Sequence, residues 1–198
     1  MRSAIFSILF LGLLTLACSS SSGTRVISRL DVKPLPQPIV FQQSFVNHAW
    51  GYQNRGWFID GNGVVRAYHA TSDTIWYPVE HTGPDSGYIS KENLTANSEI
   101  VNRVVYNIPL LELNKYYKLL QKAADGSISE RVRGAYDAGL VQYNGYIWDD
   151  AKGMYKSVLI SLSGDWMQTN THPAAGEILD YLNAINTFYA DSLQVWQL

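Results

Sequence analysis

The chain has a single cysteine, Cys18. No intramolecular disulfide can form, so whatever fold the chain adopts must be held by its own buried surface. Cys18 directly follows an uncharged, mostly apolar run over 4–17, which begins after Arg2 and leads into Ser19, Ser20, Ser21, Ser22 and Gly23. That run is shorter than the about 20 apolar residues a bilayer-spanning helix needs, and a basic residue followed by a short apolar stretch has the layout of an export leader. The residues after it are therefore the ones expected to fold, and they are enough for one domain with a real core.

Thr15, Leu16, Ala17 and Cys18, with Leu14 one place ahead, put a small residue directly before a cysteine at the leader's end. This resembles the lipobox of bacterial lipoproteins. The resemblance covers about the first twenty residues. It implies that 1–17 is a signal peptide and that Cys18 is diacylated, palmitate-type chains included. It also implies that 18–38 is a Ser/Pro tether carrying the domain 39–198 on a membrane of the cell envelope. The acyl chains on one cysteine supply the two anchoring signals that stable attachment requires. Ser19, in place of an aspartate, resembles sorting to the outer membrane in a Gram-negative cell. Thr15 and Ala17 also fit ordinary signal peptidase, so a released protein with an N-terminal cysteine stays open as the other outcome of processing.

Charge narrows the partners. The chain carries 15 Lys and Arg against 17 Asp and Glu, a net charge of −2 with no basic stripe or cluster. Nucleic acid needs a basic face, and a polybasic membrane patch needs a run of cations; neither is present.

Pro34, Pro36 and Pro38 favour an extended, polyproline-like spacer. Beyond them, 39–46 alternates in the manner of a strand. Two β-prone runs flank Asp60-Gly61-Asn62-Gly63, whose residues tolerate the positive φ of a tight hairpin. A further strand over 74–77 is confined to an edge by Pro78. Leu94, Val101, Val104 and Ile108 fall at helical spacing, predicting a helix that ends at Pro109. A second helix runs from Pro109 to Asp125-Gly126, with Leu113, Tyr116, Leu120 and Ala123 on one side, and a short turn follows over 129–133. A second hairpin pairs 140–148 with 154–163. Pro173 then opens a last helix with Ile178, Leu182, Ile185 and Tyr189 inward. The expected fold class is α+β, an antiparallel sheet built from hairpins packed against about three helices.

Chemistry is sparse. His48, His69, His81 and His172 lie far apart with no metal-ligand spacing, and no cofactor or metal is expected. Asp60-Gly61-Asn62-Gly63 lacks the further acidic positions and terminal Glu of a calcium loop, and reads as a turn. There is no Gly-x-Ser-x-Gly element and no Cys–His combination. Glu80, Asp137, Asp149 and Asp150 could supply the two carboxyl groups of glycan cleavage, but acid pairs are ordinary surface and Asp149-Asp150 reads as a hairpin turn. The loop 164–173 gathers Asp165, Trp166, Asn170 and His172 ahead of a helix N-terminus; its bland alternative is that His172 or Thr171 caps that helix while Asp165 makes a turn. Six tryptophans and thirteen tyrosines suggest stacking surfaces, of which Trp148 and Trp166, flanking the second hairpin, are the candidate partner contacts.

Two classes of function follow. One is a membrane-tethered, non-catalytic binding or assembly protein of the envelope with a protein partner. The other is an envelope glycan-binding protein or hydrolase.

Overall fold

The computed structural model describes residues 32–49, 51–100, 102–190 and 192. The apolar run 4–17 expected as a leader, Cys18, Trp50, Val101 and Trp196 lie outside them. In chain order the elements are β1 (Phe41–Asn47), β2 (Gln53–Ile59), β3 (Val64–Ala70), β4 (Tyr88–Ser90) and α1 (Lys91–Glu99). They continue with β5 (Asn102–Asn107), α2 (Leu110–Ala123), β6 (Val132–Arg133), β7 (Leu140–Asp149), β8 (Met154–Gly164), β9 (Trp166–Thr169) and α3 (Pro173–Phe188). The class is α+β. One nine-stranded sheet has the order β5-β3-β2-β1-β7-β8-β9-β6, with β4 on the first part of β8, and its strand pairs are antiparallel. Two meanders, β1-β2-β3 and β7-β8-β9, meet where β1 pairs with β7.

The first hairpin shows why Asp60 is a turn residue. Its Oδ1 accepts from the backbone N–H of Asn62 (2.9 Å) and of Val64 (3.0 Å), and its Oδ2 meets Arg66 at 3.3 Å. Gly63 takes φ +81°, a conformation costly for other residues. A Cβ on Gly61 would sit 1.9 Å from the carbonyl oxygen of Leu35, because the chain before β1 crosses here. Leu35 N–H donates to Gly61 O (2.9 Å), Gly61 N–H donates to Gln37 O (3.2 Å), and Gln37 is 4 % exposed. Part of the proline-rich stretch expected as tether is thus hydrogen-bonded to the domain.

Alternation along the central strands divides the buried residues between two faces. On one face Phe41, Trp57, Ile59, Val65, Val158 and Ile160 form a core with Leu113 and Leu120 of α2 and Ile178, Leu182 and Ile185 of α3. Tyr116 stacks on Tyr181 at 3.6 Å between centroids. Gly145 lets Leu120 onto the sheet, since a Cβ there would lie 2.4 Å from a Leu120 methyl carbon. The opposite face has a smaller core of Phe58, Tyr68, Ile89, Leu94, Tyr146 and Tyr155, closed by the segment 76–79.

Several sequence expectations need correction. The helix expected from Leu94 to Ile108 is two elements: α1 stops at Glu99, and Asn102–Asn107 is a strand on β3. Val104, Val105 and Tyr106 favour the pleated surface, and the open edge of β3 supplies their backbone partners. The loop 164–173 contains β9, and the turn at 129–133 contains β6. The stretch 74–77 pairs with no strand. Tyr77 is held there by a side chain: its N–H donates to Asn97 Oδ1 (2.9 Å), while Asn97 Nδ2 donates to Tyr77 O (2.8 Å).

Candidate functional site

Strands with one face under helices can leave the other face wet. Here that second face carries amides and hydroxyls. Cross-strand register sets Ser44 opposite Gln142, Gln42 opposite Asn144, and Leu162 opposite both Gln142 and Gln168. Two adjoining clefts of about 440 and 560 Å³ lie over these residues and share Val79, His81, Leu140, Gln142 and Asn144 as walls. Together they form one trough across β2, β1, β7, β8 and β9, with 76–81 as its rim.

The rim is fixed at several points. Asn97, 1 % exposed, clamps Tyr77 as described, and the Trp76 ring stacks on Tyr68 at 4.8 Å. Glu80 N–H donates to Tyr88 O (2.9 Å), and Gly87 N–H returns a bond to Glu80 O (2.7 Å). Beneath the rim, Gln42 Nε2 donates to the Tyr68 hydroxyl (2.8 Å), and the Tyr146 hydroxyl donates to Gln42 Oε1 (2.7 Å). Burial pushes both phenols well above the ordinary tyrosine range, so they stay protonated at neutral pH. Gln42 is therefore committed to the floor.

Other amides are less fully engaged. Gln142 Nε2 donates to Asn144 Oδ1 (3.0 Å), leaving the Gln142 carbonyl towards the trough without a donor among the described residues. Asn54 is 2 % exposed and lines the same cleft; its Nδ2 donates to the Tyr52 hydroxyl (3.2 Å), while its Oδ1 has no donor among the described residues. A buried acceptor left unpaired costs about 1–3 kcal/mol. Among the described lining residues there is no Asp, Glu or Lys, and the one fixed charge is Arg131 at the β9 end. No group of three or more His, Cys, Asp or Glu among the described residues could hold a metal.

The residues singled out from sequence lie elsewhere. Asn170 is buried: its Nδ2 donates to Ala123 O (2.9 Å) and Leu159 O (3.2 Å), and its Oδ1 accepts from His172 N–H (3.0 Å). His172 caps α3, its Nδ1 accepting from Ala174 N–H (3.1 Å), directly before Pro173. Asp165 Oδ1 accepts from Ala138 N–H (2.8 Å). Asn170 and His172 are thus bonded to each other, while Asp165 and Trp166 sit at the other end of β9.

Trp148 packs edge-on against Tyr155 and donates through Nε1 to Asp150 (2.7 Å). Trp166 carries the guanidinium groups of Arg131 (4.7 Å) and Arg133 (4.1 Å) over its ring. Trp148 and Trp166 mark opposite ends of β8, about 30 Å apart at 3.3 Å per residue. Of the carboxylates, Asp149 accepts from Tyr88 (3.0 Å) and from turn N–H groups; the backbone N–H of Lys152, then the Tyr88 hydroxyl, hold its carboxyl below the usual range. None of Glu80, Asp137, Asp149 and Asp150 lines the trough.

In comparisons with protein-family models, curated proteins and solved structures, nothing matches the chain. No helix among the described residues is long and apolar enough to cross a membrane.

The trough amides were missed from sequence because they bear no motif. Their signal was positional: Gln142 and Asn144 alternate with Val141 and Tyr143 inside a long strand, as Gln42 and Ser44 do with Phe41 and Gln43. Polar residues at every second place in a central strand mark an uncovered face.

Proposed function

We propose that this chain is a lipoprotein of the bacterial cell envelope, anchored through Cys18, whose domain binds a hydroxyl-rich glycan without transforming it. Hairpins packed against their helices give a platform whose uncovered face carries the ligand. The single observation that supports the reading is the trough's lining of amides, hydroxyls and aromatic rings, free of carboxylates among the described residues. Amides offer a donor and an acceptor side by side, matching a sugar hydroxyl that is both. Trp76, Tyr77 and Tyr52 offer ring surface for the C–H faces of sugars. Glycosidic cleavage by two flanking carboxyl groups finds neither in this trough.

The test is a printed array of oligosaccharides, neutral and acidic, probed with the full chain in detergent. At least one glycan is expected to bind, with binding reduced in Gln142→Ala and Trp76→Ala variants. Absence of any glycan binder overturns the reading. Anchoring is tested separately: Cys18→Ala should lose lipid label and leave the membrane fraction. A second reading, docking of an envelope protein, draws on the stack of Arg133 over both Trp166 and Tyr136, the latter 79 % exposed. A stoichiometric crosslink to an envelope protein at Tyr136 would favour it.

A further inference from the structure

The trough is electrically one-sided. Arg131 is its one fixed charge among the described lining residues, and it stands at the end formed with Gln168 and Leu162. The other end, at Asn54 and Trp76, is neutral. Among the described residues Arg131 makes no ion pair; those present are Asp60 with Arg66 and Asp85 with Lys152. Its guanidinium is instead laid over Trp166 at 4.7 Å, next to Arg133 over the same ring at 4.1 Å. Ring stacking occupies the guanidinium plane and leaves its edge N–H donors for an anion, the fork geometry that suits a carboxylate.

The geometry points to an acidic oligosaccharide as the occupant: neutral sugars over Gln142, Asn144 and Asn54, and one carboxylate-bearing sugar at the Arg131 end. This rests on the glycan reading of the trough and adds the ligand's charge and its direction. A carboxylate matches one guanidinium with one negative charge. Length supports an oligomer, since β2 to β9 spans four strand spacings of about 4.8 Å, or about 19 Å. An extended peptide is a poorer fit, because a sheet face offers side chains and not the open backbone edge that pairs with a strand. Asn54 Oδ1, buried without a donor, lies at the neutral end, where a sugar hydroxyl would donate to it.

The experiment uses an array of paired oligosaccharides, each pair differing only by a terminal hydroxymethyl or carboxylate, with the full chain in detergent. For the pairs that bind, the acidic member should be favoured about tenfold, the size expected of one charge-assisted contact. The preference should shrink as salt is raised. Arg131→Gln should equalise the pair while neutral binding persists. Arg133→Gln, at a residue outside the trough lining, should leave the preference largely in place. Equal binding of both members in the unaltered protein overturns the acidic end but spares the glycan reading. Binding by no member overturns both. A preference that Arg131→Gln does not reduce also overturns the assignment.

Discussion

The two faces of the sheet are made by the same strands and solve different problems. Under α2 and α3, Phe41, Trp57, Val65 and Ile160 meet Leu120, Ile178 and Leu182, all essentially without solvent contact. On the other face, apolar packing is confined to the end capped by Ile89, Leu94 and the segment 76–79, and the rest is amide and hydroxyl over open volume. Burying apolar surface contributes about 25 cal/mol per Å², so the helix face is where stability is concentrated. The wet face contributes little beyond its rim and keeps hydrogen-bonding capacity unspent.

The largest break in the comparison is alkaline. Burial raises Tyr143 and Tyr181 on the helix face and Tyr68, Tyr146 and Tyr155 on the other. Folded values lie above the unfolded tyrosine value of about 10, so this stability is complete below that pH and lost as pH rises through it towards the folded values. Circular dichroism should show the domain unfolding above about pH 10, with the buried phenolates appearing in ultraviolet absorbance together with unfolding. Independent titration of all thirteen tyrosines in a folded domain would contradict the burial described here.

Next in size is Leu120→Ala, which empties the contact with Gly145 and should cost about 2–5 kcal/mol in denaturant melts. A smaller loss, about 1–3 kcal/mol, is expected from Asn97→Ala, which strips both bonds from the Tyr77 backbone. On the proposed glycan reading that variant should also weaken binding, although Asn97 does not line the trough. Smallest is Gln142→Ala, expected within about 0.5 kcal/mol of the unaltered protein while binding falls. Equal destabilisation by Gln142→Ala and Leu120→Ala would dissolve the distinction between the faces.

Legibility in the sequence followed locality. Asp60-Gly61-Asn62-Gly63 marked its hairpin because turn chemistry is contained in four residues, and Pro173 marked the start of α3 for the same reason. Leu94 to Ile108 misled because apolar residues at helical spacing also fit a helix followed by a strand; only the available edge of β3 decides between them. The trough was illegible for a related reason. Gln42 and Asn144 lie far apart in sequence and become neighbours only when β1 pairs with β7. His172 drew notice as chemistry, and its imidazole is spent on a helix cap.

The clamp on Tyr77 has a kinetic side. Because Asn97, the Tyr68 ring and the backbone of Tyr88 hold the rim from three directions, the wall of the trough is finished when the domain folds. A ligand of the kind proposed would then meet a surface that needs no loop closure, so its association should depend on encounter alone, with one slow step fewer than a lidded site requires. The same arrangement makes α1 and β4 inheritors of the ligand's fate. Loosening either would leave the amides in place and still let the wall drift, turning a rapid capture into a search.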